Sequence, residues 1–309
     1  MVLVPPAHMR VPRALPALAA AVAALAFVLV LAGGFVTASD SGLGCGSQWP
    51  VCRNALLPLG GDYHAWAEWA HRLLAGCLAL GVAAVATLAL RSRLRLLRTF
   101  ALAAAALVAA EVVLGMATVL FALPAGVVAV HMLDAVAIVD VLIAVAYLAW
   151  REGRGGGTAR PAPLPLAAAA LAVLTAAAGS YVDHSGDGLA CAAGPACALR
   201  LGHPGGAAVM VFGLHVLLGL VLVSAVVAAA PHLRRTPGLF ALAVGCLGLQ
   251  AGMGVALVAG RLAPGLLWVH EGLGVATAAL VWLAAWAAGT GGDLHAGTQE
   301  PTRAVGAAS

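Results

Sequence analysis

The sequence predicts an all-α polytopic membrane protein, with eight transmembrane helices forming two pseudo-symmetric four-helix bundles. Three observations carry that prediction. Of 309 residues, 63% are hydrophobic and only 9% charged, where an ordinary soluble domain holds roughly half and a quarter. Continuous apolar runs of about 20 residues recur along the chain, each enough to cross a hydrocarbon core roughly 30 Å thick. Two stretches of the first half also find counterparts in the second. The runs are continuous rather than alternating, which favours helices over a barrel.

In chain order, apolar spans are expected at 15–38, 65–90, 99–121, 126–149, 164–182, 206–229, 238–260 and 264–287. Arginine is the only basic residue besides histidine, and it clusters. Arg10 and Arg13 precede the first span, and Arg91, Arg93, Arg95 and Arg98 lie between the second and third. Arg151, Arg154 and Arg160 follow the fourth, and Arg234 and Arg235 the sixth. With alternating spans these positions share one side. The positive-inside rule makes that side the cytoplasm, so the reading is a multi-pass cell-membrane protein with both termini inside. The clusters occupy short connections and act as topology signals, which excludes nucleic acid as a partner and leaves membrane lipid. The first span exceeds the h-region of a signal peptide and lacks a small-x-small cleavage site, so it is kept as a span.

Residues 15–150 form an N-terminal four-helix half. "REGRGGGTARPAP" (151–163) reads as a flexible cytoplasmic linker. Residues 164–288 form the C-terminal half, and 289–309, small and polar, read as a disordered tail. "GGFVTASDSGLGCGSQWPVC" (33–52) is echoed by "GSYVDHSGDGLACAAGPAC" (179–197). "EVVLGMATVLFALPAGVVAVH" (111–131) is echoed by "QAGMGVALVAGRLAPGLLWVH" (250–270). A repeat of equal span number and orientation implies parallel halves related about the membrane normal.

Of ten histidines, four fall inside spans: His71, His131, His215 and His270, on the second, fourth, sixth and eighth. Each lies several residues in from the outer end, so at 1.5 Å per residue all four share one depth, about 8–14 Å below the outer edge. A single intramembrane histidine serves as interhelical glue about as often as anything else. Four at one depth, repeated between halves, point to a cofactor. Two imidazoles facing across a four-helix bundle are the axial pair of a haem iron. Zinc wants three or four ligands, and neither half offers a third. Glycine and alanine beside the histidines ("LLAG", "VLLG", "EGLGVATAA") leave room for a flat macrocycle. No C-x-x-C-H occurs, so such a haem is held non-covalently.

Cys45 and Cys52 lie in the first long outer loop, and Cys191 and Cys197 in the other. Both pairs face the side where disulfides persist, as structural staples or as redox-active bridges. Cys77 and Cys246 fall inside spans and read as inert.

Glu68 and His71 stand three residues apart and share a helix face. A carboxyl beside a haem in an apolar pocket suits proton transfer. Alternatively, Glu68 snorkels outward or pairs with Arg72. At the equivalent place before His215 stands Phe212. One half thus carries an acid–base residue and the other does not. Glu111 stands where its repeat partner has Gln250. Asp134, three residues beyond His131, is placed to orient that ring. Asp140 lies further along the same span, and Glu271 points elsewhere than His270.

Together, "SDSGLGCGSQWPVC", "EWAHRLLAG" and "VLGMATV", set in eight spans with one histidine on each even span, resemble the haem A synthase family over residues 15–287. That resemblance implies an oxidoreductase converting haem O to haem A by oxidising the C8 methyl to a formyl group. It implies haem b as cofactor on His215 and His270, haem O as substrate between His71 and His131, and Glu68 as the essential glutamate. It also implies haem O synthase and cytochrome oxidase assembly factors as neighbours, and a quinone or other electron carrier. The alternative is a di-haem b-type electron-transfer protein, a quinol or disulfide relay. A transporter would need broken helices at the midplane, and the spans show none that convinces.

Overall fold

Chain crossing hydrocarbon must satisfy every peptide group internally, and these apolar runs do so as helices. The computed structural model describes residues 11–58, 60–185, 206–234, 236–259 and 264–293. Among them are eight helices long and apolar enough to cross a membrane. They are α1 (Leu15–Ala38), α2 (Tyr63–Ala89), α3 (Arg95–Leu120), α4 (Ala125–Gly153), α5 (Pro163–His184), α6 (Gly206–Ala229), α7 (Pro237–Ala259) and α8 (Pro264–Ala288). All eight expected spans are present, and the ends move by a few residues.

Local chemistry sets several of those ends. Proline sits in the first turn of α1 and α5, where its missing N–H costs nothing. The Asp62 carboxylate caps α2, accepting from the N–H groups of His64 (2.9 Å) and Ala65 (3.5 Å). α3 ends in two left-handed residues that are not glycine, Ala122 (φ 57°) and Leu123 (φ 59°). Such a backbone costs about 1–3 kcal/mol per residue unless its surroundings hold it. Here the Leu123 N–H donates to the Thr118 carbonyl at 2.7 Å, and Pro124 starts the next helix.

α1 packs on α2 and α4, and α3 on α2 and α4, so the first four helices close a ring. α5 packs on α6 and α8, and α7 on α8. The two groups meet where α1 and α4 press on α8 and α4 presses on α5. One buried cluster runs through both, from Leu15, Val82, Leu97 and Leu142 to Leu222, Val281 and Trp286.

The connection after α4 departs from expectation. α4 continues through Gly153, and the supposed flexible linker then forms a strand, β1 (Gly156–Arg160). It pairs antiparallel with β2 (Thr290–Asp293), the start of the supposed disordered tail, in the register Gly156↔Asp293 and Arg160↔Thr290. The reason is local. Two short segments leave the same end of the bundle side by side and satisfy each other's backbone groups. The Ala162 N–H, donating to the Ala285 carbonyl at 2.9 Å, ties α5 to α8 beside them. Residues 294–309 lie outside the described residues.

The first outer loop is folded rather than loose. Cys45 and Cys52 form a disulfide, and both are fully buried. Gln48 and Asn54 exchange two hydrogen bonds across the loop (3.0 and 2.7 Å). Arg53 pairs with Asp62 and donates to the Gly44 carbonyl. The Arg53 hydrogen bond, with the helix-cap N–H groups, holds the Asp62 carboxyl below the usual carboxylate range. Cys191 and Cys197 lie outside the described residues.

Candidate functional site

Each of the four intramembrane histidines lies against a glycine of the preceding helix. A Cβ placed on Gly33 of α1 would stand 3.2 Å from His71 Cε1, and one on Gly115 of α3 would stand 3.3 Å from His131 Cε1. On Gly179 of α5 it would stand 2.8 Å from His215 Cε1, and on Gly254 of α7 3.2 Å from His270 Cε1. At these four places the missing side chain is the room into which the imidazole fits. The sequence suggests that room on the histidines' own helices instead. Gly76 and Gly219 there have no neighbour within 4 Å.

The Nδ1 atoms divide the four rings into two kinds. His215 Nδ1–H donates to the Thr175 carbonyl at 3.1 Å, and His270 Nδ1–H to the Gln250 carbonyl at 3.0 Å. Each acceptor is four residues before the ring's glycine, one turn back on the same helix. A carbonyl only accepts, so the proton is fixed on Nδ1 and the Nε2 lone pair is free for a metal. The two ring centres are 6.2 Å apart. Imidazoles bonded to one metal from opposite sides, each at about 2 Å, put their centres roughly 6 Å apart. Among the described residues no group of three or more His, Cys, Asp or Glu side chains is arranged to hold a metal ion. The donor set is a pair of imidazoles, and it fits a haem iron.

His71 and His131 lack such anchors. His71 Nδ1 is buried with no hydrogen-bond partner. At the position matching Gln250, Glu111 brings its side chain, and Oε2 lies 3.1 Å from His131 Nδ1 without hydrogen-bond alignment. Both rings line one cavity of about 380 Å³, within the range of small-molecule sites. α1 to α4 supply most of its wall.

Glu68 also lines this cavity, with 3% of its surface exposed. The Cys45 N–H donates to Oε2 at 2.7 Å, and Arg72 pairs with Oε1. Arg72 donates further to the carbonyls of Gln48 (3.0 Å), Val51 (3.1 Å) and Pro50 (3.3 Å). One guanidinium thus joins the glutamate to the disulfide loop. Glu68 lines the cavity with His71 and is at the same time paired with Arg72.

Other carboxylates fall differently from expectation. Asp134 turns its carboxyl to Glu111, and Glu111 is the group beside the His131 ring. Asp140 is buried on α4 and does not line the cavity. Glu271 does line it, together with Ser180 and His184, so α5 and α8 complete the wall. Two of these features leave a signal in the sequence. Gly115 to His131 and Gly254 to His270 are both spaced by sixteen residues, and Glu111 and Gln250 precede those glycines equally.

The family model of the COX15-CtaA cytochrome oxidase assembly proteins matches residues 17–229. The chain belongs to this family. Its similar proteins include a "Heme A synthase" of Alkalihalophilus pseudofirmus, 27% identical over 177 residues. That match covers 55% of this chain and 60% of the relative. One of Exiguobacterium sibiricum is 28% identical over 177 residues, covering 55% of this chain and 59% of the relative. Against these two the chain spans less than two thirds of the relative's length. A "Heme A synthase" of Bacillus licheniformis is 27% identical over 263 residues, covering 80% of this chain and 86% of the relative. This COX15-CtaA member is therefore a multi-pass membrane protein, and the residues named in its cavity wall other than Glu271 lie within the matched region.

Proposed function

We propose that this chain is a haem A synthase, oxidising the C8 methyl of haem O to a formyl group in the cavity between His71 and His131. The observation that carries the reading is the difference between the two imidazole pairs. One pair is locked by backbone carbonyls at a metal-bridging spacing. The other flanks an open cavity with a carboxylate in its wall. A resident cofactor calls for the first arrangement and an exchanging substrate for the second. Similarity to proteins named "Heme A synthase" supports it.

His215 and His270 would hold haem b, which when bound supplies one-electron transfer. His71 and His131 would bracket the substrate iron. Converting a methyl to a formyl group takes up one oxygen, as from water, and releases four electrons and four protons. Glu68 is the group placed to take protons, its oxygens oriented by the Cys45 N–H and Arg72. The electrons pass to a quinone or another carrier. Arginine clusters after α2, α4 and α6 support a cytoplasmic location for both termini. Cys191–Cys197 would staple the second outer loop as Cys45–Cys52 does the first.

The test is a set of variants read by pigment extraction and absorbance. His215→Ala and His270→Ala should lose haem b. His71→Ala and Glu68→Ala should keep haem b and fail to make haem A. A Glu68→Ala protein that forms haem A at the normal rate would instead favour the di-haem electron-transfer alternative.

A further inference from the structure

We infer that Glu271, on α8, is a substrate-contacting residue of the His71–His131 cavity that recognises a hydroxyl on the porphyrin edge; this rests on the proposed function. Three observations converge on it. First, Glu271 reaches the cavity through a gap in α1. Gly34 has no side chain, and a Cβ there would collide with Glu271 Oε2 and stand 3.1 Å from its Cδ. The neighbouring residue, Gly33, is the one packed on the His71 ring. The carboxyl therefore enters one residue along α1 from the imidazole that would grip the substrate iron, within reach of a macrocycle centred there.

Second, the other carboxyls at this cavity each face a polar group of the protein. Glu68 receives the Cys45 N–H and Arg72, and Glu111 faces His131 and Asp134. No described residue donates a hydrogen bond to Glu271, and Asp183 beside it is another acid. Its oxygens are not sealed off as the buried, partnerless oxygens of Asp134 and Asp140 are. A half-buried carboxyl open to a cavity takes its hydrogen bond from whatever occupies that cavity.

Third, the surroundings form a polar corner in an otherwise apolar wall. Ser180 and His184 line it beside Glu271, with His184 Nδ1–H held by the Ser180 carbonyl at 3.0 Å. Trp268, one turn earlier on α8, fixes the helix by donating from Nε1 to the Leu31 carbonyl at 2.8 Å. Haem O carries a hydroxyalkyl side chain where haem b carries a vinyl group, and a site built to bond a hydroxyl rejects the analogue lacking it.

The experiment titrates haem O and, separately, haem b into purified protein already holding its resident haem b, following absorbance of the second haem. Haem O also carries a longer apolar side chain than haem b, so the readout is the change in the haem O over haem b preference on substitution. Glu271→Leu should lower that preference about tenfold, the worth of one hydrogen bond in an apolar site, and Glu271→Gln should keep most of it. Gly34→Ala, which blocks the gap, should behave like Glu271→Leu while leaving the resident haem spectrum unchanged. A preference unchanged in Glu271→Leu overturns the inference. Failure of the underlying reading looks different: His71→Ala would then leave binding of both second haems unchanged.

Discussion

A methyl group added at Gly179 tests the glycine–imidazole contact most sharply. In Gly179→Ala the new Cβ would lie 2.8 Å from His215 Cε1, while carbon atoms rest at about 3.5 Å. The ring must retreat roughly 0.6–0.7 Å, or the helices must part by as much. Thr175 and Gly179 stand one turn apart on the same face of α5. Retreat therefore also stretches the 3.1 Å bond from Nδ1 to the Thr175 carbonyl beyond hydrogen-bond range. Overpacking of this kind costs about 1–3 kcal/mol, a loss of about 5- to 150-fold in haem b affinity. Retention of haem b by the purified protein against an excess of apomyoglobin measures it. Gly254→Ala, with 3.2 Å of room at His270, should lose less. Gly213→Ala and Gly219→Ala, which meet nothing within 4 Å, should lose nothing. If Gly179→Ala holds its haem as firmly as Gly219→Ala does, the glycine is not what seats the ring.

Arg72→Met removes the partner of buried Glu68 and the donor to three loop carbonyls, and thermal unfolding in detergent should show a loss of about 3–5 kcal/mol. Replacing Cys45 and Cys52 together by serine opens a short closed loop and should cost about 2.5 kcal/mol on chain-entropy grounds, read in the same assay. Asp62 is held below its ordinary pKa of 3.8 by Arg53, so its stabilising effect is present above that value and fades as pH falls through the lowered one. Acid titration of loop proteolysis should show this fading in wild type and not in Asp62→Asn. Asp62→Ala, which also removes the helix cap, should unfold at a lower temperature than Asp62→Asn at neutral pH.

The spans are legible in the sequence because they follow from one-dimensional spacing. Helix rise converts residue number into depth, and on that ground alone His71, His131, His215 and His270 are expected at one height. Lateral relations are not encoded that way. Whether His131 faces Asp134 on its own helix or Glu111 on its neighbour depends on how α3 and α4 are rotated, which no local spacing sets. For the same reason local sequence suggests room for the rings at Gly76 and Gly219, whereas it lies across the helix interface at Gly33, Gly115, Gly179 and Gly254. Glu271 points away from its neighbour His270, as adjacent positions on a helix must. That "away" means into the His71–His131 cavity depends on Gly34, some 240 residues earlier. The strand after α4 is hidden because a polar, glycine-rich segment forms a strand only when a partner is delivered to it, and the partner here follows the last helix.

The pairing of β1 with β2 joins residues made before α5 to residues made only after α8. Until α8 has been threaded into the bilayer with the correct orientation, the segment Thr290–Asp293 is absent from the face where Gly156–Arg160 waits, and the ladder cannot close. The two-stranded clasp thus closes only in a chain whose α8 has been delivered the right way round.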